Sequence, residues 1–118
     1  GETEEDLKAA KRNVAARISF YASTRTYKPA LEFHGWGDIN EALHKLSVEG
    51  KWEEMFSIVT DEMVETLGFC GTGLEVANSL KNNLGPICSA AMWNEVEHLG
   101  TDHSKDEYVA NLIQIAKA

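Results

Sequence analysis

Residues 27–38, which read Y-K-P-A-L-E-F-H-G-W-G-D, constrain the fold of this chain more than any other stretch. Pro29 is tolerated in the first turn of a helix, and Gly35 favours the left-handed backbone that commonly ends one. Trp36 follows that glycine and can fold back onto the helix as the apolar residue of a Schellman motif. Asp38 then offers the side chain of an N-cap, so a new helix is expected to start at once. One helix start, one helix end and a second helix start within these residues predict a chain of short helices.

Helix start and stop signals recur along the rest of the chain. Thr3 is expected to cap a first helix over residues 4–22, whose apolar side chains recur at spacings of three and four. The members of that stripe are Leu7, Ala10, Val14, Ile18 and Tyr21. The other expected N-caps are Thr26, Asp38 with Glu41, Thr60 or Asp61, Thr72 with Glu75, and Ser104 with Glu107. The pattern predicts a mainly α chain, with residues 1–118 forming a single helical domain or fragment.

Strand signals are scarce. Residues 87–93 are the one run that reads as a buried strand, although Ala90, Ala91 and Met92 are equally compatible with a helix. Phe69 and Cys70 form a second apolar pair that is very short. A single buried strand leaves backbone donors and acceptors unpaired. The chain is therefore expected to be either a helical domain in which this run is not a strand, or a piece of a larger sheet protein.

Composition limits the classes of partner. The chain has 118 residues, of which 43% are hydrophobic and 25% charged, a balance typical of one globular domain. A formal net charge of −8 argues against nucleic acid and anionic membrane surfaces as partners. No apolar run approaches the roughly 20 residues of a membrane span, and the acidic opening lacks a signal peptide, so a cytoplasmic location is expected. Cys70 and Cys88 are expected to be buried thiols rather than a disulfide.

A glycine-rich turn at residues 71–73 is the candidate binding element. Gly71, Thr72 and Gly73 precede an expected helix, and the N–H groups at a helix start can hold an anion. The turn lacks the spacing of a dinucleotide fingerprint or a P-loop. The alternative is that both glycines only turn the chain while Thr72 caps the helix.

Other polar and aromatic groups give no catalytic site. His34 and Trp36 can line a pocket, but a tight corner between helices is the expected arrangement. Glu95 and His98 have a spacing seen in metal-binding helices, with His103 nearby, but a di-metal bundle needs that pair twice. Solvated carboxylate pairs are expected at Glu53–Glu54 and Asp61–Glu62. No nucleophile elbow is present, so neither catalytic residues nor a metal site are expected in this chain.

Four blocks, in the same order, resemble the luciferase-like monooxygenase superfamily and most closely its deazaflavin (coenzyme F-420)-dependent oxidoreductases. The blocks are Y-A-S-T-R-T-Y-K-P-A-L-E-F-H-G-W-G-D at 21–38, G-K-W-E-E-M at 50–55, T-D-E-M at 60–63 and F-C-G-T-G-L-E-V-A at 69–77. The opening G-E-T-E-E-D resembles a turn that leads out of a barrel strand in that family. Together they make residues 1–93 similar to the family.

Members of that family are (β/α)8 barrels, which need about 250 residues. The resemblance implies that this chain is the C-terminal portion of such a TIM barrel, with at most one or two short strands. Phe69 and Cys70 take the position of the seventh strand, and residues 87–93 take that of the eighth. Residues after Gly85 depart from the family pattern.

The resemblance also implies a function for the intact enzyme. That function is hydride transfer between deazaflavin coenzyme F-420, or alternatively FMN, and a small organic substrate. Gly71, Thr72 and Gly73 would contact the cofactor, and the missing N-terminal barrel portion would be the partner of this chain. The chain is also expected either to form a homodimer through the edges of residues 87–93 or to bury that run under helices that carry Trp36, Trp52 and Phe56, and alone it is expected to be inactive. The rival hypotheses are a self-contained helical protein-interaction domain and part of an FMN-dependent monooxygenase.

Overall fold

The computed structural model of the chain describes residues 1–90 and 110, and their backbone is mainly helical, as predicted. The helices are α1 (Glu4–Ala22), α2 (Lys28–Phe33), α3 (Gly37–Val48), α4 (Trp52–Ile58), α5 (Asp61–Leu67) and α6 (Gly73–Leu84), with a 3-10 turn at Arg25–Tyr27. The chain divides into two compact units, residues 1–7 with 69–118 and residues 8–68. No strand is present among the residues described.

The first helix has the predicted bounds, and its buried face differs from the predicted stripe at Tyr21. The Thr3 hydroxyl accepts a hydrogen bond from the N–H of Asp6 at 3.1 Å, as an N-cap does. The buried residues of α1 are Ala15, Ser19 and Ala22. They lie one position further along than Val14, Ile18 and Tyr21 of the predicted stripe, but Val14 and Ile18 are half-buried and Ile18 packs against the core, so the stripe is right except at Tyr21. Tyr21, predicted to be buried, is 53% exposed.

The core of the 8–68 unit is built by neighbouring short helices. Its buried members are Ala22, Leu31, Leu43, Met55 and Met63. Partly buried apolar side chains that pack against them are Ile18, Trp36, Ile39, Leu46, Phe56, Ile58 and Val59. Each large buried side chain contributes about 1.5–3 kcal/mol through removal from water. The core therefore joins side chains from five successive helices, α1 to α5.

The corner between α2 and α3 is a complete Schellman motif, as predicted. Gly35 has a φ of +80°. Its N–H donates to the carbonyl of Glu32 at 2.9 Å, and the N–H of Trp36 donates to the carbonyl of Leu31 at 2.8 Å. Trp36 and Leu31 both belong to the core, which is the apolar contact that accompanies this motif. Gly50, with a φ of +70°, lies just after the end of α3 in the same conformation.

Two predicted N-caps in this region are wrong. Thr26 lies inside the 3-10 turn, and α2 starts at Lys28 with Pro29 in its first turn. α3 starts at Gly37, which places Asp38 in its first turn without a capping hydrogen bond. The Schellman corner places Trp36, not Asp38, at the N-cap position, where its carbonyl accepts from the N–H groups of Ile39 and Asn40. The Trp36 side chain has no oxygen to accept from the first-turn N–H groups, so this helix start has no side-chain cap.

Glu41 was predicted to close a capping box with Asp38. Its carboxylate instead accepts hydrogen bonds from two cationic side chains. Its Oε1 lies 2.7 Å from the guanidinium of Arg25 and 2.6 Å from the Nζ of Lys28. Hydrogen bonds from Lys28 and then from Arg25 hold the pKa of Glu41 below its ordinary value. The same contact with Glu41 raises the pKa of Lys28. These exposed pairs connect the 3-10 turn and α2 with α3.

Asn40 connects the end of α1 to α3 from inside the core. It is fully buried, and its Nδ2 donates to the carbonyls of Ala22 at 2.6 Å and Thr24 at 3.0 Å. Helix C-terminal carbonyls have no partner within their own helix, so Asn40 supplies the donors that α1 lacks. The Nδ1 of His44, one turn further along α3, lies 3.1 Å from the carbonyl of Ser23. Two side chains of α3 thus cover three successive carbonyls.

The predicted strand at residues 87–93 is wrong for the part that is described. Residues 87–90 form a turn and irregular backbone, and Ile87 is 77% exposed. The N–H groups of Ile87 and Cys88 donate to the carbonyl of Leu84 at 3.0 and 2.7 Å, so the chain turns back at the end of α6. Residues 91–93 lie outside the described part. Phe69 and Cys70 also form no strand.

Candidate functional site

The glycine turn at 71–73 starts α6 with a full capping box, as predicted from Thr72 and Glu75. The carboxylate of Glu75 accepts from the N–H of Thr72 at 2.8 Å and from its hydroxyl at 3.0 Å. The Thr72 hydroxyl oxygen in turn accepts from the N–H of Glu75 at 3.4 Å. The helix start therefore holds a carboxylate at one of its backbone donors.

A second carboxylate reaches the same turn from the beginning of the chain. The Oε1 of Glu2 accepts from the N–H of Gly73 at 3.1 Å. Sequence reasoning missed Glu2, because it lies 71 residues from Gly73 and no local spacing connects them. With Glu75 on Thr72 and Glu2 on Gly73, two successive N–H groups each hold an oxygen anion.

The electrostatics of the turn favour negative charge. The N-terminus of a helix carries a partial positive charge, and its first N–H groups have no partner within the helix. The N–H of Thr72, and after it the Thr72 hydroxyl, lower the pKa of Glu75 by stabilising its carboxylate. A Cβ on Gly71 would stand 2.7 Å from the Oε2 of Glu75. Glycine at this position is what allows that carboxylate to approach.

The chemistry available at the turn is anion binding. Gly71, Thr72 and Gly73 lie together at the start of α6, so the predicted residues form one structural element. An external phosphate or carboxylate would have to displace Glu2 or Glu75 to reach the same donors. Among the residues described, no group of three or more His, Cys, Asp or Glu side chains could hold a metal ion. Glu95, His98 and His103 lie outside that part of the chain.

His34 and Trp36 form the aromatic surface of the α2–α3 corner. Their rings stack with centroids 4.7 Å apart and an interplanar angle of 20°. Phe33 meets His34 edge to face at 5.3 Å and is itself 86% exposed. This agrees with the tight corner between helices that was expected for the two residues.

A groove between α1 and α4, which we call the aromatic groove, was not predicted. It is an open groove of about 370 Å³, and its lining residues are Ala16, Arg17, Ser19, Phe20, Tyr21, Trp52 and Phe56. Phe20 is 56%, Tyr21 53% and Trp52 49% exposed. Sequence reasoning missed the groove because it assigned Tyr21 to the buried stripe of α1. Ala22 is buried in place of Tyr21, which leaves Tyr21 exposed next to Phe20.

The remaining expectations concern thiols, carboxylates and membranes. Cys70 and Cys88 form no disulfide, as predicted, but Cys70 is half-buried and Cys88 is exposed, so the expected burial is wrong. Cys88 follows the turn at the end of α6, which carries it out of any core.

The pairs Glu53–Glu54 and Asp61–Glu62 are exposed in the first turns of α4 and α5, as expected. Among the helices described, none combines the length and apolarity needed to cross a membrane.

The chain is similar to curated proteins of mycobacteria. Uncharacterized proteins of Mycobacterium bovis and of two strains of Mycobacterium tuberculosis are each 39% identical to it over 82 residues. The match covers 70% of this chain and 24% of each relative. The chain therefore spans about a quarter of the length of the curated relatives it matches. No protein-family model matches the chain, and no solved structure matches it.

Proposed function

We propose that these 118 residues are the C-terminal segment of a deazaflavin-dependent, luciferase-like oxidoreductase. In the intact enzyme, the turn of Gly71, Thr72 and Gly73 would bind an anionic group of coenzyme F-420. The missing N-terminal barrel portion would be the principal partner of the chain, and the enzyme would be cytoplasmic. Support comes from the ordered sequence blocks, from the length of the relatives and from the geometry of the turn.

The length of the relatives is compatible with a barrel. The 82 matched residues make up 24% of each relative, which puts the relatives at about 340 residues. A (β/α)8 barrel needs about 250 residues and accommodates insertions beyond that. A protein of this size has room for a whole barrel with an added helical excursion. The short helices of the 8–68 unit would belong to such an excursion.

The observation that carries the proposal is the pair of anions at the start of α6. The N–H groups of Thr72 and Gly73 hold carboxylate oxygens at 2.8 and 3.1 Å. Phosphate oxygens use the same donors and the same helix-terminal charge. Glu2 is the more easily displaced of the two, because Glu75 also accepts from the Thr72 hydroxyl. A cofactor phosphate would take the place of Glu2 on Gly73.

The role of this chain in the reaction would be binding rather than chemistry. The deazaflavin, when bound, would supply or accept the hydride. The described residues contribute a rigid helix start, fixed by the capping box, that positions an anionic group. Catalytic residues would come from the loops of the missing strands, because barrel active sites are assembled from many βα loops. The isolated chain should therefore have no activity.

A self-contained helical interaction domain is the second candidate. It is favoured by the exposure of large apolar side chains, among them Phe33 at 86% and Val48 at 76%. Where such side chains form a contiguous patch, the patch marks a contact site with another protein surface. In the first proposal the same side chains would contact the rest of the barrel.

The test removes one backbone donor and leaves the helix intact. Gly73 is the first residue of α6, where proline is favoured, and the extended backbone of Thr72 is compatible with a following proline. Gly73→Pro in the intact natural protein deletes the N–H that holds Glu2. Asp61→Pro is the control for proline at a helix start, because Asp61 is the first residue of α5 and also follows an extended threonine cap. Gly73 is buried and Asp61 is exposed, so Gly73→Ala, which keeps the N–H, is the control for the added side-chain atoms.

Binding of F-420 and of FMN would be measured in parallel by spectroscopic titration. Gly73→Pro should weaken binding of the cognate cofactor about tenfold, as expected for one lost charge-assisted hydrogen bond, and Asp61→Pro should not change it. Tight binding of FMN alone would move the assignment to an FMN-dependent monooxygenase. An intact protein that binds neither cofactor would refute the oxidoreductase proposal and favour the interaction domain.

A further inference from the structure

The aromatic groove of the 8–68 unit has preformed walls. The rings of Phe20 and Tyr21 meet edge to face at 5.6 Å, and Tyr21 meets Tyr27 in the same way at 5.9 Å. Trp52 and Phe56 form the opposite wall from α4. Since each ring on the α1 side is held by a neighbouring ring, little conformational entropy would be lost when a ligand enters.

Arg17 gives the groove a positive charge in a chain of net charge −8. The nearby cations on α1 are engaged, because Lys11 lies 3.6 Å from Glu65 and Arg12 lies 3.5 Å from Glu53. Arg17 forms no ion pair with any of the residues described, and it is exposed. A guanidinium offers several donors in one plane, which suits a carboxylate, sulfonate or phosphate group.

The size of the groove favours a small ligand over a second copy of the chain as its occupant. Its volume of about 370 Å³ falls in the range of small-molecule sites. Three aromatic side chains about half exposed present roughly 300 Å² together, whereas a stable dimer buries about 800 Å² on each partner. The groove is therefore large enough for a ring system and too small to hold two chains together alone.

We propose that the aromatic groove binds a planar aromatic anion. The ring system would lie between Phe20 and Trp52, and the anionic group would accept hydrogen bonds from Arg17. The rings contribute through stacking and removal of apolar surface from water, and Arg17 selects for negative charge. The groove and the glycine turn belong to different units, so this proposal does not depend on the oxidoreductase assignment.

The test uses two fluorescent probes of the same shape and different charge. The anion is 8-anilinonaphthalene-1-sulfonate, and the neutral probe is N-phenyl-1-naphthylamine, which lacks the sulfonate. The wild-type chain should bind one molecule of the anion per chain and prefer it to the neutral probe. Arg17→Met should weaken binding of the anion about fivefold and leave the neutral probe unchanged. Trp52→Ser should weaken binding of both probes about tenfold.

Matched controls are available on surfaces away from the groove. Phe33→Ser removes a more exposed aromatic ring, and Lys45→Met removes an exposed cation from α3; neither residue lines the groove, so neither change should alter binding. Circular dichroism would verify that each variant stays folded, and Arg17→Met changes only an exposed side chain. Equal effects of Phe33→Ser and Trp52→Ser, or no effect of Arg17→Met, would overturn the proposal. A chain that sediments as a dimer and dissociates on adding the anion would show that a second copy occupies the groove.

Discussion

Replacing Asn40 by aspartate exchanges two hydrogen-bond donors for a carboxyl oxygen without changing the shape of the side chain. That oxygen would stand where Nδ2 now lies, 2.6 Å from the carbonyl of Ala22 and 3.0 Å from that of Thr24. A carboxylate there would face two acceptors in a site where Asn40 is 0% exposed. The substitution therefore tests how much of the stability of the 8–68 unit depends on this one side chain.

The size of the effect follows from the two hydrogen bonds that Nδ2 donates. A buried acceptor without its donor costs about 1–3 kcal/mol, and the carbonyl of Ala22 loses its donor here, whereas that of Thr24 keeps the N–H of Tyr27 at 3.3 Å. Burial of a carboxylate that faces both oxygens adds to this loss, so Asn40→Asp should lower the free energy of unfolding by about 3 kcal/mol at neutral pH. At 4–8 °C per kcal/mol for a small domain, the melting temperature should fall by about 12 °C or more.

The penalty of Asn40→Asp should also depend on pH. Burial and two facing carbonyl oxygens disfavour the carboxylate, so they raise the pKa of the new carboxyl in the folded state above its unfolded value. A group with a raised folded pKa gives stability that is present below the unfolded pKa and is lost as pH rises through the folded one. The difference from wild type should be smaller at about pH 4 than at about pH 7.5.

Urea unfolding followed by circular dichroism, with wild type and variant compared at each pH, measures this difference. Asn13→Asp is the matched control, since Asn13 is exposed on α1, and it should change stability by less than about 0.5 kcal/mol. A loss no larger than that of the control, or the same loss at both pH values, would refute the reasoning.

Two further predictions concern the α2–α3 region. Gly35→Ala forces a side chain into a φ of +80° and should cost about 1–2 kcal/mol in urea unfolding, whereas Gly35→Asn should recover much of it; equal losses would count against this argument. Lys28 and Arg25 lower the pKa of Glu41, so its contribution is present above the unfolded pKa and is lost as pH falls. The Glu41→Gln variant should therefore lose less free energy of unfolding than the wild type as the pH is lowered. The control variant Glu62→Gln should lose as much as the wild type.

What could be predicted from the sequence depended on whether the signal was local. Three features depend on signals that lie within a few residues, and all three were predicted correctly. They are the bounds of α1, the Schellman corner at Gly35 and the capping box of Thr72 with Glu75. Asp38 failed as a cap because the preceding helix leads directly into α3. That outcome depends on how two helices join, which the motif alone does not contain.

The site was predictable only in part, for the same reason. The turn at 71–73 was found from its glycines, but the carboxylate that covers Gly73 comes from Glu2, 71 residues away. The aromatic groove depends on which side of α1 is buried. Apolar spacing fixes the period of that face, while tertiary contacts decide which residues of it are buried, here Ser19 and Ala22 rather than Tyr21.

The order in which the 8–68 unit folds follows from the position of α3. α3 packs against α2 and α4, its neighbours along the chain, and a left-handed glycine directs the backbone at each of its ends. These contacts close only short loops, so they lose little chain entropy and form quickly. The contact of Asn40 with Ala22 and Thr24 has a longer reach in sequence and becomes available once α3 exists. We therefore expect α2, α3 and α4 to form the folding nucleus, with α1 docking last.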